Sequence, residues 1–359
     1  MRYLSRYRYL LLAVLIALIA GILVANAVSH RHGVSTDNGV STDKSAVPIV
    51  GIADNNLLGA SAREQATQFA AMKSVGITSV RVDANWRLVQ PAGPSLFNWS
   101  ALDQEVKAIR ATGMSVDLII DGSPSWAAVP AARNDMFAQP ESAAQYAAWA
   151  ATVASRYREM GVNYFEIWNE PNISLFWLPR PDPAAYTADL VAAYAAIKKA
   201  DPAAIVISGG LAPASDNGIN YNAVTFVADM YEDGARGSFD YLGVHPYSWP
   251  LLPASDDPDS AWSQMYRTTP SIRSIMVANG DGAKKIWITE FGAPSRLGFA
   301  AQSEAITQAL AAADNMSWIG AIYIYTWRDT NNSFGLQTSD GSPKPAYYVL
   351  LAALRDKTK

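Results

Sequence analysis

Residues 49–59 read IVGIADNNLLG, a short apolar run that breaks into a polar turn. Ile49, Val50 and Ile52 give the run the composition of a strand covered on both faces, where no polar alternation is needed. The turn then separates two ways of arranging alternating strands and helices. An open, doubly wound sheet that holds a nucleotide carries glycines in its first turn, so that backbone can approach the phosphates. IADNNLLG contains no G-x-G-x-x-G, which favours a closed barrel.

Seven further runs follow at the spacing one β/α unit requires: 78–83 (TSVRVD), 115–120 (SVDLII), 163–168 (NYFEIW), 204–208 (AIVIS), 239–244 (FDYLGV), 285–289 (KIWIT) and 319–325 (IGAIYIY). Between them lie Ala-rich stretches of helical composition at 61–75, 100–112, 142–160, 183–200 and 303–316. The first of these opens with Ser61 and Glu64, the spacing of a capping box. Eight alternating units predict an α/β fold, a (β/α)₈ (TIM) barrel. It accounts for residues 48–359 as a single domain and leaves nothing over for a second.

Upstream, residues 10–28 (LLLAVLIALIAGILVANAV) carry no charge, and Arg2, Arg6 and Arg8 precede them. That pattern predicts a signal peptide or membrane anchor over 1–28 with its N-terminus cytoplasmic, and a domain placed outside. Ala25-Asn26-Ala27 fits a cleavage site, but the apolar stretch is long enough to span, so an anchor through 10–28 is the preferred reading. Residues 29–47 are polar, repeat GVSTD at 33–37 and 39–43, and read as a flexible linker.

The formal charge of −4 conceals a surplus of three positive charges in residues 1–47, leaving −7 for the rest. Such a balance offers no basic surface for nucleic acid. Cysteine is absent, which excludes disulfides, thiolate metal sites and a cysteine nucleophile. Two of the three histidines, His30 and His32, lie in the linker, so His245 alone belongs to the domain. A zinc site would then have to be built almost wholly from carboxylates, and a serine hydrolase would need a G-x-S-x-G that the sequence lacks. No metal and no cofactor are expected, and the protein is expected to be a monomer.

In a barrel of this kind the chemistry sits at the C-terminal ends of the strands. Strand two ends at Arg81, Asp83 and Trp86, and strand three leads to Asp121 and Trp126. Strand four gives Trp168-Asn169-Glu170-Pro171-Asn172, and strand six His245-Pro246-Tyr247. Strand seven gives Glu290-Phe291-Gly292, and strand eight Tyr325, Trp327 and Arg328. Glu170 and Glu290 stand three β/α units apart, on the same predicted rim. Glycosidic bond cleavage needs such a pair, one group to protonate the leaving oxygen and one to attack the anomeric carbon. Arg81, His245 and Tyr247 are candidates to push their pKa values apart.

The W-N-E-P of 168–171, the H-P-Y of 245–247, the T-E-F-G of 289–292 and the strand-eight tryptophan resemble the clan A retaining glycoside hydrolases, chiefly cellulase-like family 5 and xylosidase-like family 39. The resemblance covers nearly all of residues 48–355. It implies Glu170 as acid/base, Glu290 as nucleophile and Asn169 on the sugar 2-hydroxyl. It also implies that Arg81, His245 and Tyr247 orient or neutralise Glu290, and that Trp327 forms the floor under the sugar. Family 5 enzymes usually place a histidine after strand three. Here Asp121-Gly122-Ser123-Pro124-Ser125-Trp126 stands there instead, which looks closer to family 39.

Trp86, Trp126 and Trp177 follow strand ends or sit in loops, and with Trp327 they are candidates to stack on a sugar ring. Trp249 joins them on position alone, Phe176-Trp177 is a candidate leaving-group subsite, and Trp149, Trp99 and Trp318 read as core. The expected partner is a polysaccharide or oligosaccharide, cleaved by an endo-acting enzyme. The rivals are a transglycosylase, which shares the covalent intermediate, and a non-catalytic carbohydrate-binding or cell-envelope scaffold, which would need neither glutamate.

Overall fold

The computed structural model describes residues 48–330 and 332–356, so the apolar segment at 10–28 and the linker at 29–47 lie outside the described residues. Among the described residues no helix is long and apolar enough to cross a membrane. Eight strands follow in chain order: β1 (Ile49–Ala53), β2 (Ser79–Asn85), β3 (Ser115–Asp121), β4 (Tyr164–Asn169), β5 (Ile205–Gly210), β6 (Leu242–Val244), β7 (Ile286–Phe291) and β8 (Ile319–Tyr325). They pair in the order β5-β4-β3-β2-β1-β8-β7-β6. Parallel bridges Ile207–Tyr241 and Leu211–Val244 join β5 to β6 and close the ring. The fold is the (β/α)₈ barrel that the spacing predicts.

The helices are α1 (Ala62–Ser74), α2 (Trp86–Val89), α3 (Ser100–Ala111), α4 (Ala143–Arg158), α5 (Pro183–Ala200), α6 (Ala223–Glu232), α7 (Ala261–Tyr266), α8 (Ile272–Ala278), α9 (Phe299–Asn315) and α10 (Pro345–Asp356). The five alanine-rich stretches became α1, α3, α4, α5 and α9. The helices that went unread are α2, α6, α7, α8 and α10, whose lengths or compositions gave no clear alanine signal. Ser61 caps α1 by accepting the Glu64 amide at 3.2 Å. The reciprocal capping box occurs instead at Ser271 and Ser274 of α8.

Strand alternation divides the interior into two packing systems. Outward side chains such as Val50, Ile52, Val80, Val82, Leu118, Phe165, Ile322 and Ile324 bury themselves against Phe69, Met72, Ile109 and Val153 of the helices. Inward positions hold Ala53, Ile207, Trp287, Ala321 and Tyr323, with Tyr164, Tyr241 and Tyr325 packed on them. Gly51 makes this filling possible, because a Cβ there would lie 2.3 Å from the Tyr323 ring. Above this apolar plug the inward positions turn polar, and the plug fixes the level at which Arg81, Glu166 and Thr289 stand.

Candidate active site

The polar layer is organised around Arg81, which projects from β2 and is fully buried. Its Nε and Nη2 donate to the two oxygens of Glu166 on β4, at 2.6 and 3.0 Å. Its Nη1 donates to Glu290 Oε1 on β7 at 2.5 Å, and Nη2 also reaches Asn169 Oδ1 at 2.9 Å. One planar guanidinium thus holds three side chains in fixed relation, as a fork of five donors can. The other oxygen of Glu290 accepts from the Tyr247 hydroxyl at 2.8 Å.

Glu170 sits where β4 ends, and its backbone is unusual. Trp168 and Glu170 have φ values of 71° and 46°, the left-handed region that costs a side-chain-bearing residue about 1–3 kcal/mol. Between them Asn169 remains in register with Gly210 on β5, and the Glu170 amide donates to the Gly210 carbonyl at 3.0 Å. The two excursions let Asn169 and Glu170, neighbours in sequence, both serve the site. Glu170 Oε1 meets His245 Nδ1 at 2.9 Å, and His245 Nε2 meets Thr289 Oγ1 at 3.0 Å. Oxygens of Glu170 and Glu290 lie within 4.8 Å of each other.

The family model for cellulase (glycosyl hydrolase family 5) matches residues 40–326. The chain belongs to glycosyl hydrolase family 5. A comparison with curated protein sequences found no match. Among solved structures, a family 39 glycoside hydrolase from Bacteroides cellulosilyticus WH2 is similar, at 22% identity and a TM-score of 0.65, over 87% of this chain and 64% of that one. An exo-β-1,4-mannosidase from Opitutaceae bacterium strain TAV5 is 17% identical with a TM-score of 0.63, over 89% of this chain and 62% of that one. The family 5 chain therefore spans less than two thirds of the length of either. Xylanase 10B from Thermotoga maritima is 17% identical with a TM-score of 0.60, over 87% of this chain and 96% of that one. At these identities the likeness is one of fold.

Burial pushes the Glu170 carboxyl well above the ordinary glutamate range, and the negative charge of Glu290 adds to the shift. Burial also raises Glu290, but the Arg81 guanidinium and the Tyr247 hydroxyl pull it back. Of the two, Glu170 holds a proton more tightly, and the difference follows from its lack of a cationic partner. Burial and the Arg81 charge push His245 well below its usual value, so the imidazole is neutral. Among the described residues Glu170, His245 and Glu290 are the one trio whose donor atoms could converge on a cation. Arg81 already neutralises Glu290, however, and its guanidinium would repel a second cation; the trio suits proton transfer better than metal binding.

Of the residues expected from sequence, Arg81, Asn169, Glu170, His245, Tyr247 and Glu290 converge in the family 5 chain, and the tryptophans do not. Trp327 is 1% exposed, donates its indole N–H to Gln68 on α1 at 3.0 Å and packs on Tyr347. It faces the helices and cannot be a sugar platform; the strand-eight aromatic beside Tyr247 is Tyr325, with ring centroids 6.4 Å apart. Trp86 is equally buried, because Asn85 caps α2 and turns the indole onto Trp149, stacked at 5.8 Å. Trp177 is fully buried against Trp168 and Tyr186 with its N–H on Gln139, and Phe176 packs on Phe137, so neither supplies a leaving-group subsite. Trp126 is half-buried, edge-on to Trp86, with its N–H tied to the Gln90 carbonyl. Trp249 keeps an indole at the rim, where Arg296 lies 4.9 Å over its ring.

Two site residues went unread in the sequence, Glu166 and Gly210, and Thr289 was read only as the first residue of the T-E-F-G motif, without a role. Glu166 had a signal, since a charged residue inside the apolar run NYFEIW must be inward and paired. Gly210 had none; a Cβ there would stand 2.1 Å from His245 Nε2.

Proposed function

We propose that this family 5 chain is a retaining O-glycoside hydrolase that cleaves an extracytoplasmic polysaccharide by double displacement. The observation that carries the reading is the separation of the two carboxyl groups, whose oxygens approach within 4.8 Å. Retaining enzymes space theirs at about 5–5.5 Å for direct attack on the sugar, whereas inverting enzymes leave about 6.5–9.5 Å for an intervening water. Glu170, the tighter proton holder, protonates the leaving oxygen. Glu290, held by Arg81 and Tyr247, attacks the anomeric carbon. Water then displaces Glu290 as Glu170 takes its proton. With Asn169 Oδ1 occupied by Arg81, the amide nitrogen is the group left to donate to a sugar hydroxyl.

The setting outside the cytoplasm is supported by residues 10–28 and their preceding arginines. An anchored hydrolase of this kind suits remodelling of an envelope or exported polysaccharide, with endo action as the proposed mode. The test is release of reducing sugar from glucans, xylans, mannans, arabinans and bacterial envelope polysaccharides, with the product anomer read by NMR. Activity with retained configuration, lost in both Glu170→Ala and Glu290→Ala, is expected. Binding without turnover, or equal signals from all three proteins, would overturn the reading in favour of a scaffold.

A further inference from the structure

We infer that Thr289 and Glu166 fix the tautomer of His245 and so keep the catalytic proton on Glu170. The inference rests on the reading of Glu170 as acid/base and follows from counting hydrogens around the buried ring of contacts. Glu166 accepts at both oxygens, from Arg81 Nε and Nη2 and from the Gly210 amide at 2.8 Å. It is an acceptor only. Thr289 Oγ1 lies 3.0 Å from Glu166 Oε1, and two oxygens at that distance need a hydrogen between them, which Thr289 alone can supply.

The single hydroxyl proton of Thr289 is then committed. Toward its other neighbour, His245 Nε2 at 3.0 Å, the threonine oxygen can only accept, so Nε2 carries hydrogen. A neutral imidazole has one N–H, which leaves Nδ1 bare. Its 2.9 Å contact with Glu170 Oε1 therefore takes its hydrogen from the carboxyl group. An imidazolium would also donate from Nε2, but burial and the Arg81 charge oppose it.

The groups around the pair agree with this count. Arg81 faces it from β2, Glu166 from β4, Glu290 from β7, Tyr325 from β8 and Tyr247 from the segment after β6. β5 contributes the Gly210 backbone. The one cation among them, Arg81, is paired with Glu166 and Glu290, and its pull toward an ionised Glu170 is outweighed by burial and by the charge of Glu290. During cleavage the proton leaves Glu170 for the glycosidic oxygen, the C–O electron pair goes with that oxygen, and Glu290 forms the new bond to the anomeric carbon. Thr289 and Glu166 touch none of these atoms. They are positioning residues that act through His245.

The test uses the full-length chain with ¹⁵N-labelled histidine, the His245 signals being those lost in His245→Asn. Wild type and Thr289→Ser are expected to show Nε2 protonated and Nδ1 bare at pH 6. Thr289→Val removes the acceptor, so the proton is expected on Nδ1, facing an ionised Glu170. The alkaline limb of its kcat/KM profile then moves down by at least one pH unit, a tenfold or greater loss of proton affinity, with KM little changed. Nδ1–H in the wild type, or an unchanged tautomer and profile in Thr289→Val, would overturn the inference. If the tautomer follows this pattern while no glycoside is cleaved, the proton relay stands and the hydrolase reading falls.

Discussion

Replacing Asp83 by Asn should make the protein more stable at alkaline pH and change it far less at acid pH. Asp83 projects from β2 two residues beyond Arg81, and its pKa is raised from 3.8 to about 7. Burial is the main cause; Arg81 offsets it in part, while Glu290 and Glu166 reinforce it. The folded protein keeps the Asp83 proton up to about pH 7, whereas the unfolded chain releases it near 3.8. Between those values the unfolded state binds fewer protons, so stability falls as pH rises. Three pKa units at 1.36 kcal/mol each amount to about 4 kcal/mol. Asparagine has the shape of the protonated acid and cannot ionise, so the variant should escape this loss. Urea unfolding of both proteins at pH 4.5 and pH 8 measures it: the advantage of Asp83→Asn should grow from about 1 to about 4 kcal/mol. An advantage that is the same at both pH values would show that Asp83 is already ionised at pH 4.5 in the folded protein, without a raised pKa, and the argument would fail.

Tyr247→Phe removes the hydroxyl that supports ionised Glu290, a charge-assisted bond worth about 1.5–3 kcal/mol. The acid limb of the pH–rate profile should therefore move up by about one to two units, because the nucleophile must be deprotonated to act. Gly210→Ala places a Cβ 2.1 Å from His245 Nε2 and 2.5 Å from Thr289 Oγ1. It should cost about 1–3 kcal/mol in unfolding experiments and depress kcat with the imidazole displaced. Trp327→Phe should lower thermal stability by leaving Gln68 without its donor, by about 1–3 kcal/mol, with KM unchanged. A raised KM in that variant would restore the indole as a sugar contact.

The barrel was legible because its determinants are local and periodic. Each β/α unit repeats a β-branched run and, in five cases, an alanine-rich stretch, and the bounds of β1 and β8 coincide with their runs in the sequence. The two glutamates and their partners were legible because charged and polar residues at strand ends of a barrel have one rim to occupy. Residues 1–47, by contrast, carry an apolar and then a polar pattern that stands on sequence alone. Tertiary structure decided which way each strand-end side chain turns. Trp86 and Trp327 follow strand ends as Glu170 and His245 do, yet a helix cap in one case and a Gln68 acceptor in the other direct them to the helices. It also decided the proton inventory. Whether Glu170 holds a hydrogen depends on Thr289, His245 and Glu166, which three separate strand regions bring within 3.0 Å contacts. Hydrogen-bond direction is a property of the closed set of partners, and no stretch of sequence contains that set.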